Sequence, residues 1–144
     1  MSRLLLLIHL VTSAGPQGAA KVPASAQTFL ERFQAMQQAT ATEADVDRLL
    51  ELCTDDVAYE HARVGAVIRG KAQLRAGFAG HLGEVRGDRT RVVRWAQGPK
   101  FVALEVQRDF EVKDGETWKP VHRAQLLILE RDQGGLIHRV FDDW

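Results

Sequence analysis

Two carboxylates lie in the last apolar segment of the chain, Ile137 to Trp144. Side chains of a β-strand alternate between the two faces of the sheet, so Asp142 and Asp143 must point to opposite faces. One of them can therefore face an apolar interior, and Asp142 shares its face with His138, Val140 and Trp144. Burial disfavours the charged form of a carboxylate, which is how a small protein obtains a general acid or base that works near neutral pH. The alternative is that both acids are solvated at a frayed strand.

An arginine also falls on an apolar face, in the segment Phe101 to Val112. Alternation places Arg108 on the apolar side of this segment and Asp109 on its polar side. A guanidinium on an apolar face needs a carboxylate partner, and inward-facing Asp142 is the expected one. The sequence leaves open whether this pair is catalytic or is a structural ion pair. If the pair is fully buried, loss of Asp142 should cost about 3 to 5 kcal/mol.

Three amphipathic helices are predicted in the first part of the chain. The first begins at Thr28 with a sequence that resembles a capping box, and the second begins at the similar sequence Thr42 to Asp45. The third covers Lys71 to Leu82. Apolar positions recur at helical spacing in all three, at Phe29, Phe33 and Met36, at Val46, Leu49, Leu50 and Cys53, and at Leu74, Phe78, His81 and Leu82.

Strands dominate the remainder of the chain. Thr54-Asp55-Asp56 should end the second helix, and a short hairpin should then pair Val57–His61 with Ala66–Arg69. Turn sequences separate four longer strands, Thr90–Gln97, Phe101–Val112, Trp118–Glu130 and Leu136–Trp144. This order predicts an α+β fold in which the helices lie across one face of a curled, mainly antiparallel sheet.

Length and composition limit the classes of protein to which this chain can belong. The chain has 144 residues, which predicts one domain. Its 19 basic side chains are balanced by 19 acidic ones, so the excess of basic charge that is typical of a nucleic-acid-binding protein is missing. Because Cys53 is the only cysteine, no intramolecular disulfide can form. On the buried face of a helix, this cysteine is expected to be a small core residue rather than a nucleophile.

The first 26 residues have the pattern of a secretory signal peptide. Met1-Ser2-Arg3 is basic, Leu4 to Val11 is apolar, and Ala24-Ser25-Ala26 has the small-x-small pattern of a cleavage site. Cleavage after Gly18-Ala19-Ala20 fits equally well. The protein is therefore expected to be periplasmic or secreted, and to be cytoplasmic if this leader is not processed.

Several short phrases, in their order and spacing, resemble the SnoaL-like members of the nuclear-transport-factor-2-like superfamily. They are Leu52 to His61, Arg69 to Ala72, Gly135 to Ile137, and Phe141-Asp142, and the resemblance covers residues 27 to 144. It implies a cone in which helices and a curled sheet enclose a pocket. Relatives include ketosteroid isomerases, limonene-type epoxide hydrolases and polyketide cyclases, while other relatives only bind partners, so the fold alone does not settle the function.

The resemblance suggests three chemistries, which the residues support unequally. A ketosteroid isomerase requires a carboxylate base where His61 stands, a tyrosine where Phe33 stands, and a second donor within the apolar segment Leu126 to Leu129. An epoxide hydrolase requires an arginine flanked by two aspartates. Asp142 matches one of these, but Arg108 and Asp109 are adjacent and point to opposite faces unless a bulge intervenes. A polyketide cyclase requires only one acid or base at Asp142.

We therefore predict a domain that binds a small, mostly apolar molecule and that, if it is an enzyme, transfers protons. Asp142 is the predicted general acid or base, Arg108 holds it, His61 or Glu60 supplies the opposing proton site, and Asp109 is the reserve candidate. The predicted pocket residues are Phe33, Tyr59, Phe78, His122, Val140 and Trp144.

No cofactor, metal ion, nucleic acid or membrane is expected as a partner of the processed domain. Its relatives often form homodimers through the sheet, so a homodimer is the expected assembly. The alternative to the enzyme is a non-catalytic module of the same fold, with a pocket filled by its own side chains and a sheet face that mediates dimerisation.

Overall fold

The computed structural model describes residues 21–144. Most of the predicted leader, residues 1–26, lies outside this range. Ala24-Ser25-Ala26 form the first turn of helix α1, Ala24–Met36, in which the Ala26 side chain is fully buried. Export of the protein stays a prediction.

Two further helices follow, α2 at Glu43–Leu50 and α3 at Lys71–Gly80. The predicted capping of α2 is confirmed, because the carboxylate of Asp45 accepts a hydrogen bond of 2.8 Å from the Thr42 backbone N–H. Helix α1 begins four residues before the predicted Thr28, and α3 ends two residues earlier than predicted. His81 consequently lies outside α3, where its exposed ring is 2.7 Å from Glu84. None of the helices within residues 21–144 has the length and apolar character needed to cross a membrane.

Six strands form one sheet in the order β2-β1-β6-β5-β4-β3. The predicted antiparallel meander and the short hairpin are confirmed, and parallel pairing of β1 with β6 joins them. The strands are β1 Cys53–His61, β2 Ala66–Arg69, β3 Val85–Gln97, β4 Phe101–Asp114, β5 Thr117–Arg131 and β6 Ile137–Asp143. The architecture is the predicted α+β cone, with three helices on a curled, mostly antiparallel sheet.

Strand β1 begins earlier than the sequence predicts. Thr54-Asp55-Asp56 are part of the strand, and Cys53 is its first residue rather than the last buried position of α2. Pairing with β6 explains the extension, since the Ile137 N–H donates to the Leu52 carbonyl at 2.8 Å. Burial raises the pKa of the Cys53 thiol to about 11, so this cysteine stays protonated in the core, as its predicted structural role requires.

The core lies between the three helices and the inner face of the sheet. Strand β4 shows the alternation that the sequence predicts, with every second side chain from Val102 to Phe110 buried, and β5 alternates in the same way from Gln125 to Leu129. The buried set on the sheet comprises Val57, Tyr59, Val102, Leu104, Val106, Leu127, Leu129 and Val140, and the helices contribute Phe29, Phe33, Met36, Val46, Leu49, Leu50 and Leu74.

One irregularity in β3 has a direct effect on the site. Between the pairs Arg86–Glu111 and Arg89–Asp109, strand β3 carries one residue more than β4. This is a β-bulge, and Gly87 adopts the left-handed conformation within it, with φ of 64°. The bulge turns Asp88 onto the inner face, where it is only 2% exposed.

We expect Gly87→Ala to destabilise the protein by about 1 to 2 kcal/mol, because only glycine adopts the left-handed conformation without a steric cost. No atom lies within 4 Å of the added Cβ, so the cost is conformational. Gly77→Ala is the matched control in α3, where the added methyl group lies 4.0 Å from Ile68 and should stabilise the helix by about 0.5 to 1 kcal/mol. Urea unfolding measures both, and equal effects would contradict the role assigned to the bulge.

Candidate functional site

A chain of five buried polar side chains crosses the inner face of the sheet, with one residue from each of five adjacent strands. From β3 to β1, these residues are Asp88, Arg108, Gln125, Asp142 and Tyr59, and none is more than 5% exposed. The inward orientation predicted for Arg108 and Asp142 is confirmed.

At one end of this chain, Arg108 pairs with Asp88. Its Nη2 donates to Asp88 Oδ2 at 2.7 Å and its Nε to Oδ1 at 3.3 Å. The rings of Phe33 and Phe110 each lie 5.0 Å from the guanidinium carbon, which adds cation–π contacts. Asp88 therefore takes the place that the sequence assigned to Asp142, because the bulge at Gly87 brings a nearer carboxylate to the arginine.

Gln125 connects Arg108 to Asp142. Arg108 Nη1 donates to Gln125 Oε1 at 3.3 Å, and Gln125 Nε2 donates to Asp142 Oδ1 at 2.5 Å. A guanidinium can only donate hydrogen bonds, so the amide oxygen of Gln125 must face Arg108 and its NH2 group must face the carboxylate. The arginine thus fixes Asp142 Oδ1 as a hydrogen-bond acceptor without touching it.

The second oxygen of Asp142 faces Tyr59 and His61. The Tyr59 hydroxyl donates to Oδ2 at 2.9 Å, and His61 Nδ1 lies 3.6 Å from the same oxygen. The latter distance suits an ion pair with a protonated imidazole but exceeds a normal hydrogen bond. The side chain of His61 is 28% exposed and that of Asp142 is 4% exposed, so the imidazole reaches the solvent while the carboxylate beside it is buried.

Burial, followed by the nearby charge of Asp142, raises the pKa of the Tyr59 hydroxyl well above its ordinary value of 10.0. The folded protein therefore keeps this proton when the unfolded chain loses it, and the resulting stability is present below about pH 10 and is lost as the pH rises through the folded-state value. Tyr59→Phe should remove this part of the alkaline decline in the free energy of unfolding. Tyr59 is the only tyrosine, so phenolate absorbance should appear only as the wild-type protein unfolds. Phenolate formation in the folded protein near pH 10 would contradict this prediction.

The remaining predicted catalytic residues lie on the outer face of the sheet. Glu60 pairs with Arg139 at 2.8 Å, and this contact is the main reason that the pKa of its carboxyl is lowered. Asp109 lies 2.6 Å from His122, which likewise lowers the pKa of the Asp109 carboxyl. No bulge turns Asp109 inward, so the structure does not bring Glu60, Asp109 or His122 to Asp142.

His122 was predicted to line the interior pocket, but its side chain is 79% exposed. Two grooves adjoin His122, one of about 310 Å3 on the outer face and one of about 510 Å3 that extends past the bulge at Gly87 to Asp88 and Phe110. Both are lined by Asp109 and His122. His122 has the opposite parity to the buried Leu127 and Leu129 on β5, so alternation along the strand places it on the outer face, where it lies opposite Asp109 in the β4–β5 register.

The other predicted pocket residues lie on the inner side. The Phe78 ring packs edge-on against Tyr59 at 5.7 Å and against Phe33 at 6.4 Å. Val140 is buried on β6, and the Trp144 ring beyond it stacks against Arg123, whose guanidinium carbon is 3.6 Å from the ring centroid. Aromatic rings and aliphatic side chains therefore surround the polar chain.

Three inward-facing residues are not among those predicted from the sequence: Asp88, Gln125 and Arg123. Gln125 and Arg123 share the alternation of Leu127 and Leu129, so the period-2 pattern contained the signal for both. Asp88 had a weaker signal, a glycine directly before an acid at the start of a strand.

Within residues 21–144, no group of three or more His, Cys, Asp or Glu side chains is placed to hold a metal ion.

Residues 16–140 match the sequence model of the SnoaL-like domain. No curated protein matches the chain. Among solved structures, an LEH-like epoxide hydrolase from M. tuberculosis is 22% identical with a TM-score of 0.61, over 83% of this chain and 81% of that one. A protein of ketosteroid isomerase-like fold from Catenulispora acidiphila, in complex with trimethylamine, is 19% identical with a TM-score of 0.61, over 81% and 84%. A computationally designed 17-OHP binder is 19% identical with a TM-score of 0.62, over 83% and 90%. At these identities the similarity concerns the fold.

Proposed function

The chain belongs to the SnoaL-like domain family, and we propose that it catalyses a cofactor-independent proton transfer on a small, mostly apolar molecule, with Asp142 as the general base. The observation that carries this proposal is the environment of the Asp142 carboxylate. It is buried, it accepts hydrogen bonds from Gln125 and Tyr59, and it lies 3.6 Å from the partly exposed His61. General acid–base catalysis requires a proton acceptor that is held in place and shielded from water, with a second titratable group beside it.

Each member of the polar chain has a role in this proposal. Oδ2 of Asp142 takes the proton from the substrate or from a water molecule, and His61 returns a proton at the rim. Tyr59 keeps its own proton and orients the carboxylate. Arg108 acts through Gln125 as a positioning residue, and Asp88 balances its charge. Because Asp88 binds the guanidinium, Asp142 accepts hydrogen bonds from two neutral donors, Gln125 and Tyr59, and is not held in a direct pair with an arginine.

The apolar surroundings support the substrate class. Phe33, Phe78 and Val140 offer aromatic and aliphatic surface next to the polar chain, as is usual for small-molecule sites. Structural neighbours of this chain bind trimethylamine and 17-OHP. A small ligand in the cone is the corresponding expectation for this protein.

A non-catalytic module remains the second candidate, favoured by one observation. The Phe78 ring contacts both Phe33 and Tyr59, so these rings fill part of the interior. In this alternative Asp142 serves only stability, and the outer sheet face with the two grooves beside His122 is the binding or dimerisation surface.

Turnover separates the two candidates. Hydrolysis of limonene 1,2-epoxide and isomerisation of a β,γ-unsaturated 3-ketosteroid would be assayed with the wild-type chain, with Asp142→Asn, and with Asp143→Asn as the exposed neighbouring control. The proposal expects turnover by the wild type and by Asp143→Asn, and its loss in Asp142→Asn. Absence of turnover in the wild type, with ligand binding unaffected by Asp142→Asn, would favour the non-catalytic module.

A further inference from the structure

Two arginines lie directly opposite each other on the inner face of the sheet. The β4–β5 register pairs Arg108 with Arg123, and like charges in this position repel. Arg108 is neutralised by Asp88 at 2.7 Å. Within residues 21–144, by contrast, no carboxylate oxygen lies within 4.0 Å of the Arg123 guanidinium. One of the two inward cations therefore has no counter-ion in the described part of the chain.

Arg123 is held in place by aromatic rings rather than by acids. Its guanidinium carbon lies 3.6 Å from the centroid of the Trp144 ring and 5.4 Å from that of Phe110. A guanidinium stacked on a ring keeps the N–H groups along its edge free to donate. The stacking thus orients the hydrogen-bond donors of Arg123, and no acceptor within residues 21–144 is bonded to them.

The local charge is positive at this end of the inner face. Arg63, from the short 3-10 helix Ala62–Val64, also lies over the Trp144 ring at 5.8 Å. Arg63 also donates from Nη1 to the backbone oxygen of Trp144 at 2.8 Å, and Arg108 donates to Asp88. Arg123 is therefore the member of this group that has no oxygen partner within residues 21–144. Burial, followed by the nearby charge of Arg108, lowers the pKa of the Arg123 guanidinium, while the charge of Asp142 acts in the opposite direction.

Arg123 is also close to the proposed base. It precedes Gln125 by two residues on the same face of β5, a separation of roughly 7 Å along the strand, and Gln125 contacts Asp142 directly. A ligand group held by Arg123 would therefore place the adjoining few carbon atoms near Asp142 and His61.

We propose that Arg123 anchors a carboxylate of the ligand, so that this site takes a small, mostly apolar carboxylic acid with its anionic end at Arg123 and Trp144. The planar fork of arginine matches a carboxylate through two parallel hydrogen bonds. A carboxylate supplies the counter-charge that Arg123 lacks within residues 21–144, and Asp142 repels its single charge less than the double charge of a phosphate monoester. Binding of an anion at Arg123 does not depend on the proposed function. The inference that this anion is the substrate rests on the proposed function.

Calorimetric titration of the full chain with octanoate and with 1-octanol tests this inference, because the two probes differ only in the head group. Wild-type protein should bind octanoate at least about tenfold more tightly than 1-octanol, as expected for charge-assisted hydrogen bonds. Arg123→Gln should remove this preference and leave 1-octanol binding unchanged. Arg91→Gln is the matched control on the outer face, where Arg91 bonds to Gln107; it changes the net charge equally and should keep the preference.

Three results would overturn the inference: equal binding of the two probes by the wild type, an unchanged preference in folded Arg123→Gln, or an equal loss in Arg91→Gln. Should Arg123→Gln fail to fold, Arg123→Lys keeps the charge without the fork and should retain only part of the preference; full retention would contradict the carboxylate fork.

Asp142→Asn distinguishes this inference from the proposed function, because it should retain or strengthen octanoate binding while turnover is lost. Turnover that survives in Asp142→Asn would contradict the catalytic proposal alone.

Discussion

Asp142→Asn is expected to lower kcat by about 10²- to 10⁴-fold, the usual contribution of a general base. An amide has nearly the shape of a carboxylate but does not accept a proton at neutral pH. If its oxygen accepts from Gln125, its NH2 group faces the Tyr59 oxygen, which can accept that hydrogen bond but loses the acceptor for its own proton. If its oxygen accepts from Tyr59 instead, its NH2 group faces the NH2 group of Gln125. Gln125 cannot turn to relieve this conflict without pointing its own NH2 group at Arg108 Nη1, which now donates to its oxygen at 3.3 Å.

The same substitution should lower the free energy of unfolding by only about 1 to 3 kcal/mol, because it leaves one buried hydrogen-bonding group unsatisfied. This is less than expected from a direct pair with Arg108, because Asp88 neutralises the arginine. Urea unfolding measures this cost, and steady-state kinetics on whichever probe the wild type converts measures kcat. Glu60→Gln is the second control, since it removes an acid whose contact with Arg139 is on the outer face. Retention of kcat to within about tenfold in folded Asp142→Asn, outside the range for a general base, would make Asp142 a structural residue.

Asp88→Asn is expected to cause the largest loss of stability, about 3 to 5 kcal/mol, because it leaves a buried arginine without its counter-charge. The side chains of Arg108 and Asp88 are 6% and 0% exposed, so water cannot replace the missing carboxylate. The neutral amide can still accept one hydrogen bond from Arg108, but it cannot balance the charge. Urea unfolding at neutral pH gives the difference in the free energy of unfolding.

Asp109→Asn is the matched control for this prediction. Asp109 also pairs with a basic side chain, His122, but its own side chain is 54% exposed, and exposed pairs contribute about 0 to 1 kcal/mol. In a double-mutant cycle, Asp88→Asn combined with Arg108→Gln should be less destabilised than the sum of the single variants. Equal losses in Asp88→Asn and Asp109→Asn would contradict the role assigned to Asp88.

The fold could be predicted from local patterns. The alternation along β4 and β6 placed Arg108 and Asp142 on the inner face, and the helical spacing in α2 identified its buried side. These predictions succeeded because the two faces of a strand or helix are set by backbone geometry within one element. The order of elements then sufficed for the family resemblance.

Partners across the sheet could not be predicted in the same way. Alternation states which face a side chain occupies, but its neighbour depends on the register between strands that are far apart in the chain. Gly87 adds one residue to β3 and reverses the alternation at Asp88, which moves an acid onto the inner face beside Arg108. Parallel pairing of β6 with β1 brings Tyr59 and His61 to Asp142, and only the tertiary structure determines that pairing.

The sequence by itself thus determined that an aspartate and an arginine face the interior of an α+β cone. The tertiary structure decided that they do not meet directly, that Gln125 joins them, and that Asp88 balances the arginine. The physical reason is that the direction of a side chain follows from the local backbone. Which carboxylate pairs with a buried arginine depends instead on the register between strands and, here, on a single inserted residue.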